Sequence, residues 1–139
     1  MIQKYLKVSF AAAALCLLGF WGCTETSELE EVVLPAPVEE TSGFPRVPVK
    51  VDSTLTLKVL YRPANGCGRF ERADSLVNGQ TTTLTIFAAY PTEDQEAICA
   101  DISKQVAFTF RFRTKAVGKH YFRFWQSDTS FLLDSIVVQ

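Results

Sequence analysis

The sequence predicts an all-β domain, a sandwich of about seven antiparallel strands, preceded by two segments that do not belong to it. Three observations carry this reading. Apolar and polar residues alternate with period two along several short stretches. β-Branched and aromatic residues fill those stretches, and turn-forming residues separate them. No helical period is sustained anywhere in that part of the chain, so half-buried antiparallel strands are the expected element.

The chain has 139 residues, enough for one domain. Lys4 and Lys7 precede an apolar run at residues 8–21 that only Ser9 interrupts. As a helix this run rises ~20 Å, short of the ~30 Å hydrocarbon core, which fits a secretory signal better than a spanning helix. The run ends Phe20-Trp21-Gly22-Cys23 and turns polar and acidic at once. A small residue directly before a cysteine at this place resembles the lipobox of bacterial lipoproteins. The likeness is to the looser form of Bacteroidota, with Phe20 and Trp21 where the strict motif has Leu and then Ala or Ser. It covers residues 1–23 and implies that 1–22 is a signal peptide and that the Cys23 sulfur carries lipid. The protein would then be anchored outside the cytoplasm, on the periplasmic or cell-surface face of the outer membrane. Ordinary cleavage near Ala13, leaving Cys23 a plain thiol, is the alternative.

Residues 24–43 hold Glu25, Glu28, Glu30, Glu31, Glu39 and Glu40 and no Lys or Arg, together with Pro35, Pro37 and one short apolar cluster, Val32-Val33-Leu34. With so little to bury, 23–43 is expected to be a disordered acidic tether. An acidic stretch after the lipidated cysteine resembles the surface-export signals of Bacteroidota lipoproteins; a plain soluble spacer is the alternative. From Phe44 onward Lys and Arg outnumber Asp and Glu, so the formal net charge of -1 hides an acidic segment and a mildly basic domain, 44–139. Neither is extreme enough to suggest a nucleic-acid partner.

Within that domain Thr54–Tyr61 alternates Leu55, Leu57, Val59 and Tyr61 with polar residues. Val106–Arg113 alternates more strictly, with Val106, Phe108, Phe110 and Phe112 against Ala107, Thr109, Arg111 and Arg113. Residues 120–125 and 131–138 are rich in aromatic and β-branched types. Turns are marked by Pro63-Ala64-Asn65-Gly66, Asn78-Gly79, Pro91-Thr92, Gly118 and Ser127-Asp128. One helix-like candidate, 92–98, has a capping-box pair in Thr92 and Gln95 but room for two turns at most. At Asn78-Gly79 a two-residue turn sets Ile86 opposite Glu71 and Leu84 opposite Ala73. A three-residue loop with Gly79 left-handed sets Ile86 opposite Phe70 and Ala88 opposite Gly68. Shared burial favours the bulged loop.

About seven short strands with one bridge suit an Ig-like antiparallel β-sandwich. Gly118-Lys119-His120-Tyr121-Phe122-Arg123-Phe124 resembles the Gly-x-Tyr-x-Phe-x-Phe strand late in many bacterial Ig-like domains, with His120 at the tyrosine position. The domain as a whole resembles small Bacteroidota lipoproteins of unassigned function, which carry a Gly-Cys turn, a second cysteine further on and this late aromatic strand. That likeness implies no activity.

If, as the resemblance implies, Cys16 leaves with the signal and Cys23 carries lipid, Cys67 and Cys99 remain as an even pair in an exported protein. They should be bridged, pinning the loop after the hairpin to its root and stabilising the fold by roughly 3–4 kcal/mol. The Cys-x-x-Cys spacing of redox pairs is missing, and distant cysteines with one histidine make no metal site. Catalysis lacks its parts. His120 is the only imidazole, and there is no nucleophile elbow, zinc helix or phosphate loop. Glu93, Asp94 and Glu96 read as a solvated loop rather than a calcium site. No cofactor is expected.

Alternation puts Phe108, Phe110 and Phe112 inside, as the best-buried trio. Arg111, Arg113 and Arg123 would share an outer face with Tyr121 and Trp125, a candidate surface for a sugar or an acidic partner. Ordinary solubilising charge is the plainer alternative. The expectation is a non-catalytic, membrane-anchored interaction or accessory module with a protein or glycan partner. The alternative is an inhibitor or a small-ligand or glycan binder using the loops at 63–68 and 91–100.

Overall fold

The computed structural model describes residues 30–92 and 97–139. These form eight strands and no helix: β1 Glu31–Ala36, β2 Val38–Ser42, β3 Thr54–Tyr61, β4 Arg69–Asn78, β5 Thr81–Pro91, β6 Val106–Arg113, β7 Gly118–Ser127 and β8 Ser130–Val138. The signal-like run, Cys23, the carboxylates Glu93, Asp94 and Glu96, and most of the helix-like candidate lie outside the described residues.

The strands make the expected all-β sandwich. Its smaller sheet has the order β2-β3-β6, antiparallel throughout. The larger sheet is built around β5. On one edge β5 pairs with β4 along its length; its other edge is shared, β1 taking the second half and β7 the first. β8 lies beyond β7. The β5–β7 pairing, Thr81↔Tyr121 to Leu84↔Phe124, is parallel. The sandwich therefore has eight strands among the described residues rather than about seven, and it is not wholly antiparallel.

The acidic segment is not a tether over residues 31–42. β1 joins the larger sheet and β2 the smaller, so this stretch bridges both layers. Ala36 and Val38 are fully buried where it crosses. Its charges find partners far along the chain: Glu31 is gripped by Arg69, and Glu39 accepts from Arg62 Nε at 2.7 Å. A strand paired through its backbone needs few apolar side chains, because the neighbouring strands satisfy its N–H and C=O groups. Phe44, expected as the start of the domain, instead packs edge-on against Phe122 and Phe124, with centroids 5.2 and 5.9 Å apart.

On β3, Leu57, Val59 and Tyr61 are completely buried, while Thr54, Thr56 and Lys58 face solvent. β6 obeys the same alternation, but Phe108, Phe110 and Phe112 are only half-buried. They are not the best-buried trio, because β6 is the last strand of the narrower sheet and has no neighbour on one side among the described residues. Phe122, Phe124, Tyr61, Leu57, Ile86 and Ile136 hold the centre instead.

Both expected hairpin registers are corrected. Asn78 pairs with Thr81, leaving Gly79-Gln80 as a two-residue turn, with Gly79 at φ +58° in the first central position, as in type II′ turns. The register shift lies in β4 between Phe70 and Arg72 rather than in the loop. It has the effect that shared burial demands. Ala73 faces Ile86 before the shift, and Phe70 faces Ala88 after it, so Glu71 is kept off the inner face.

Candidate interaction surfaces

The strands β6 and β7 are joined by a short link, residues 114–117, yet belong to different sheets. Thr114, fully buried in this link, holds the crossing: its N–H donates to Ser53 O at 2.9 Å and its Oγ1 to Lys50 O at 2.9 Å. The crossing divides the expected basic stripe. Arg111 and Arg113 lie on the outer face of the smaller sheet, paired across from Thr56 and Thr54. Tyr121, Arg123 and Trp125 lie on the outer face of the larger sheet, on the opposite side of the molecule. The five residues do not form one surface. In-or-out alternation was legible along each strand, but it carries no information on which sheet a strand joins.

Two halves of the larger sheet's outer face differ in charge. Over β4 and β5, Arg72 lies on the Phe87 ring at 4.1 Å and is paired with Asp74, while Arg69 is shared between Glu31 and Glu71. Hydrogen bonding to Glu31 holds the Arg69 guanidinium above its ordinary pKa. Those cations are neutralised. Over β7 and β8, Arg123 lies on the Phe131 ring at 4.2 Å and Lys119 on Tyr121 at 5.3 Å. Among the described residues neither has a carboxylate within salt-bridge distance.

Along β7 the outward side chains run Lys119, Tyr121, Arg123, Trp125, cation and ring by turns. Their partners on β8 are Val137, Ser135, Leu133 and, beside Trp125, Phe131. Leu133 is 69% exposed and Tyr121 47%. A shallow depression of about 460 Å³ is lined by Thr81, Tyr121, Arg123, Phe131 and Leu133. The sequence reading missed Lys119, Phe131 and Leu133. The signal was present: a hairpin closing at Ser127 and Ser130 puts every second residue of β8 beside the outward row of β7.

The disulfide is formed: Cys67 and Cys99 are bridged with Cα atoms 5.2 Å apart. Around it, Gly66 N–H donates to Ala100 O at 2.8 Å, Ala64 N–H to the Tyr90 hydroxyl at 2.8 Å, and the buried Ser103 hydroxyl to Pro63 O. Gly68 sits where a Cβ would lie 2.6 Å from the Tyr90 ring. The loop is thus pinned at several points, yet it leaves Ile98 wholly exposed.

A second cleft of about 400 Å³ lies between residues 41–47 and the β7–β8 edge, lined by Lys119, Asp134 and Ser135 among others. Asp134 is engaged there by the Thr41 hydroxyl at 2.8 Å. His120 is occupied structurally, its Nε2 2.8 Å from Ala116 O and its ring edge-on to Phe112. Among the described residues no group of three His, Cys, Asp or Glu is placed to hold a metal ion, and no helix is long and apolar enough to cross a membrane. No protein-family model matches the chain, and neither a curated protein nor a solved structure is detectably similar to it.

Proposed function

We propose that this chain is a non-catalytic lipoprotein, anchored through Cys23 outside the cytoplasm, that serves as an interaction or accessory module. The observation that carries the reading is the unpaired row Lys119, Tyr121, Arg123 and Trp125 on the outer face of the larger sheet. Its cations are spent on no carboxylate among the described residues, whereas those over β4 and β5 are. Desolvated guanidinium and aromatic groups are what interface centres are made of. The Gly22-Cys23 pattern supplies the anchor, and a bridged Cys67–Cys99 pair suits an oxidising compartment.

The anchor would hold the module close. Residues 24–30 span at most roughly 25 Å when fully extended, so the sandwich stands just clear of the headgroups rather than at the end of a long tether. The test is fractionation of cells expressing Cys23→Ser. Its release into soluble fractions, or its accumulation unprocessed, supports the anchor; unchanged membrane partition and mature mass contradict it. The pinned loop with its exposed Ile98 favours the second reading, a loop-based inhibitor or ligand binder, and Ile98→Ser separates the two. Loss of partner capture in that variant, with Arg123→Gln unaffected, assigns contact to the loop.

A further inference from the structure

The two sheets are unequal in width, and the mismatch falls on one side. The larger sheet runs four strands across, ending in β4; the smaller runs three, ending in β6. β6 also crosses the larger sheet obliquely. Phe108 stacks on Phe70 of β4 at 5.2 Å, but Phe110 and Phe112 reach Phe122 of β7 at 6.5 and 5.0 Å. The distal half of the β4–β5 hairpin is therefore left without a covering strand. Ser75 and Val77 belong to the inner face, paired with Leu84 and Thr82, yet Val77 is 66% exposed, and Phe70 is 42% exposed. Beside them the outer edge of β6 pairs with no strand among the described residues.

We infer that this open seam accepts one extended polypeptide segment as a fourth strand beside β6, with apolar side chains turned to Val77 and Phe110 and acidic ones turned to Arg111. Backbone groups of an unpaired edge supply the affinity in such strand addition, and alternate side chains the selectivity. Two features select the occupant. Edge to edge with a second copy, the overhanging β4–β5 hairpins of the two would meet, whereas a lone strand brings no overhang of its own. The outer faces of β3 and β6 carry Lys58, Arg111 and Arg113 and no carboxylate, and among the described residues only Arg113 is ion-paired, with Asp52 at 3.2 Å. An acidic outward face on the incoming strand complements that charge.

The experiment titrates the full chain with three synthetic peptides: alternating valine and glutamate, alternating valine and lysine, and the first composition rearranged into blocks. The alternating acidic peptide is expected to bind, and the other two to bind at least about tenfold more weakly. Arg111→Glu should reverse the preference between glutamate and lysine peptides. Val77→Glu, at an exposed position, should abolish binding while leaving the thermal melt in place. Equal binding of the alternating and blocked peptides, or no reversal in Arg111→Glu, overturns the inference. A stable dimer in sedimentation that peptide does not dissociate also overturns it, assigning the seam to a second copy. Cys23 takes no part in this test, so its outcome is separate from that of the anchor.

Discussion

On the side of the sandwich where β2 faces β8, the gap between the sheets is closed by many small devices. Thr41 bonds Asp134, Gln126 bonds Val38 O at 2.9 Å, and Phe44 covers Phe122 and Phe124. A strap at residues 49–51 runs parallel to the end of β8, with Val49 N–H donating to Val137 O and Gln139 N–H to Val49 O. On the side where β4 faces β6 the Phe70–Phe108 stack joins the sheets near the rim, and Val77 is largely exposed among the described residues. Strand length does not explain the contrast, since the closed seam is lined by the shortest of the four strands, β2. What separates the two seams is the connection that happens to cross each: the β1–β2 passage and the strap cover one, and nothing comparable among the described residues covers the other. Edge strands without cover are usually short, charged or bulged. β4 follows that rule, with its register shift and its row of Arg69, Glu71, Arg72 and Asp74; β6 guards its edge only with arginines on one face.

The comparison sets the order of mutational effects. The largest belongs to the closed centre: Phe122→Ala should cost roughly 3–5 kcal/mol. Phe110→Ala, half-buried beside the open seam, should cost about half of that, and equal losses in denaturant titrations would show the seam to be as well packed as the core. The bridge falls between these two. Replacing Cys67 and Cys99 together by Ser should cost about 3–4 kcal/mol through the freed loop, with the same loss in wild type under reducing conditions. On the closed seam, Thr41→Val removes one part-buried hydrogen bond to a carboxylate and should cost about 1–2 kcal/mol. On the open seam, Val77→Thr should change stability by less than about 0.5 kcal/mol.

The smallest effect is electrostatic. Hydrogen bonds from Arg62 hold the Glu39 carboxyl below its ordinary pKa of 4.5. A depressed carboxylate contributes stability above its unfolded value and loses it as pH falls through the folded one. Glu39→Gln should therefore flatten the acid limb of a stability–pH curve slightly, and added salt should erase the difference, because the pair is exposed.

Much of this was legible in the sequence, and the failures share a cause. The bounds of β3 and β6 follow from alternation alone, since period two is a local property of the chain. The Cys67–Cys99 bridge follows from counting. The strands in the acidic segment did not, because what stabilises Glu31 and Glu39 is Arg69 and Arg62, tens of residues away. The split of Arg111 and Arg113 from Arg123 failed likewise: sequence neighbours were assumed to share a sheet, and the buried Thr114 crossing decides otherwise. The hairpin register was missed because the turn is Gly79-Gln80, one residue later than Asn78-Gly79 suggests, and the shift between Phe70 and Arg72 then moves it again.

Amide hydrogen exchange on the full chain tests the difference between the seams most directly. Exchange resolved by residue should show the amides that β2 and β8 bond to β3, β7 and the strap, Val49 and Gln139 among them, protected to near the global unfolding limit. Outward-edge amides of β6 from Thr109 to Arg113 should exchange far faster, through local exposure, and slow on addition of the alternating acidic peptide. Protection of those outward β6 amides equal to that of the bonded β8 amides, in the absence of any peptide, would mean that the seam is already covered, and would contradict the account.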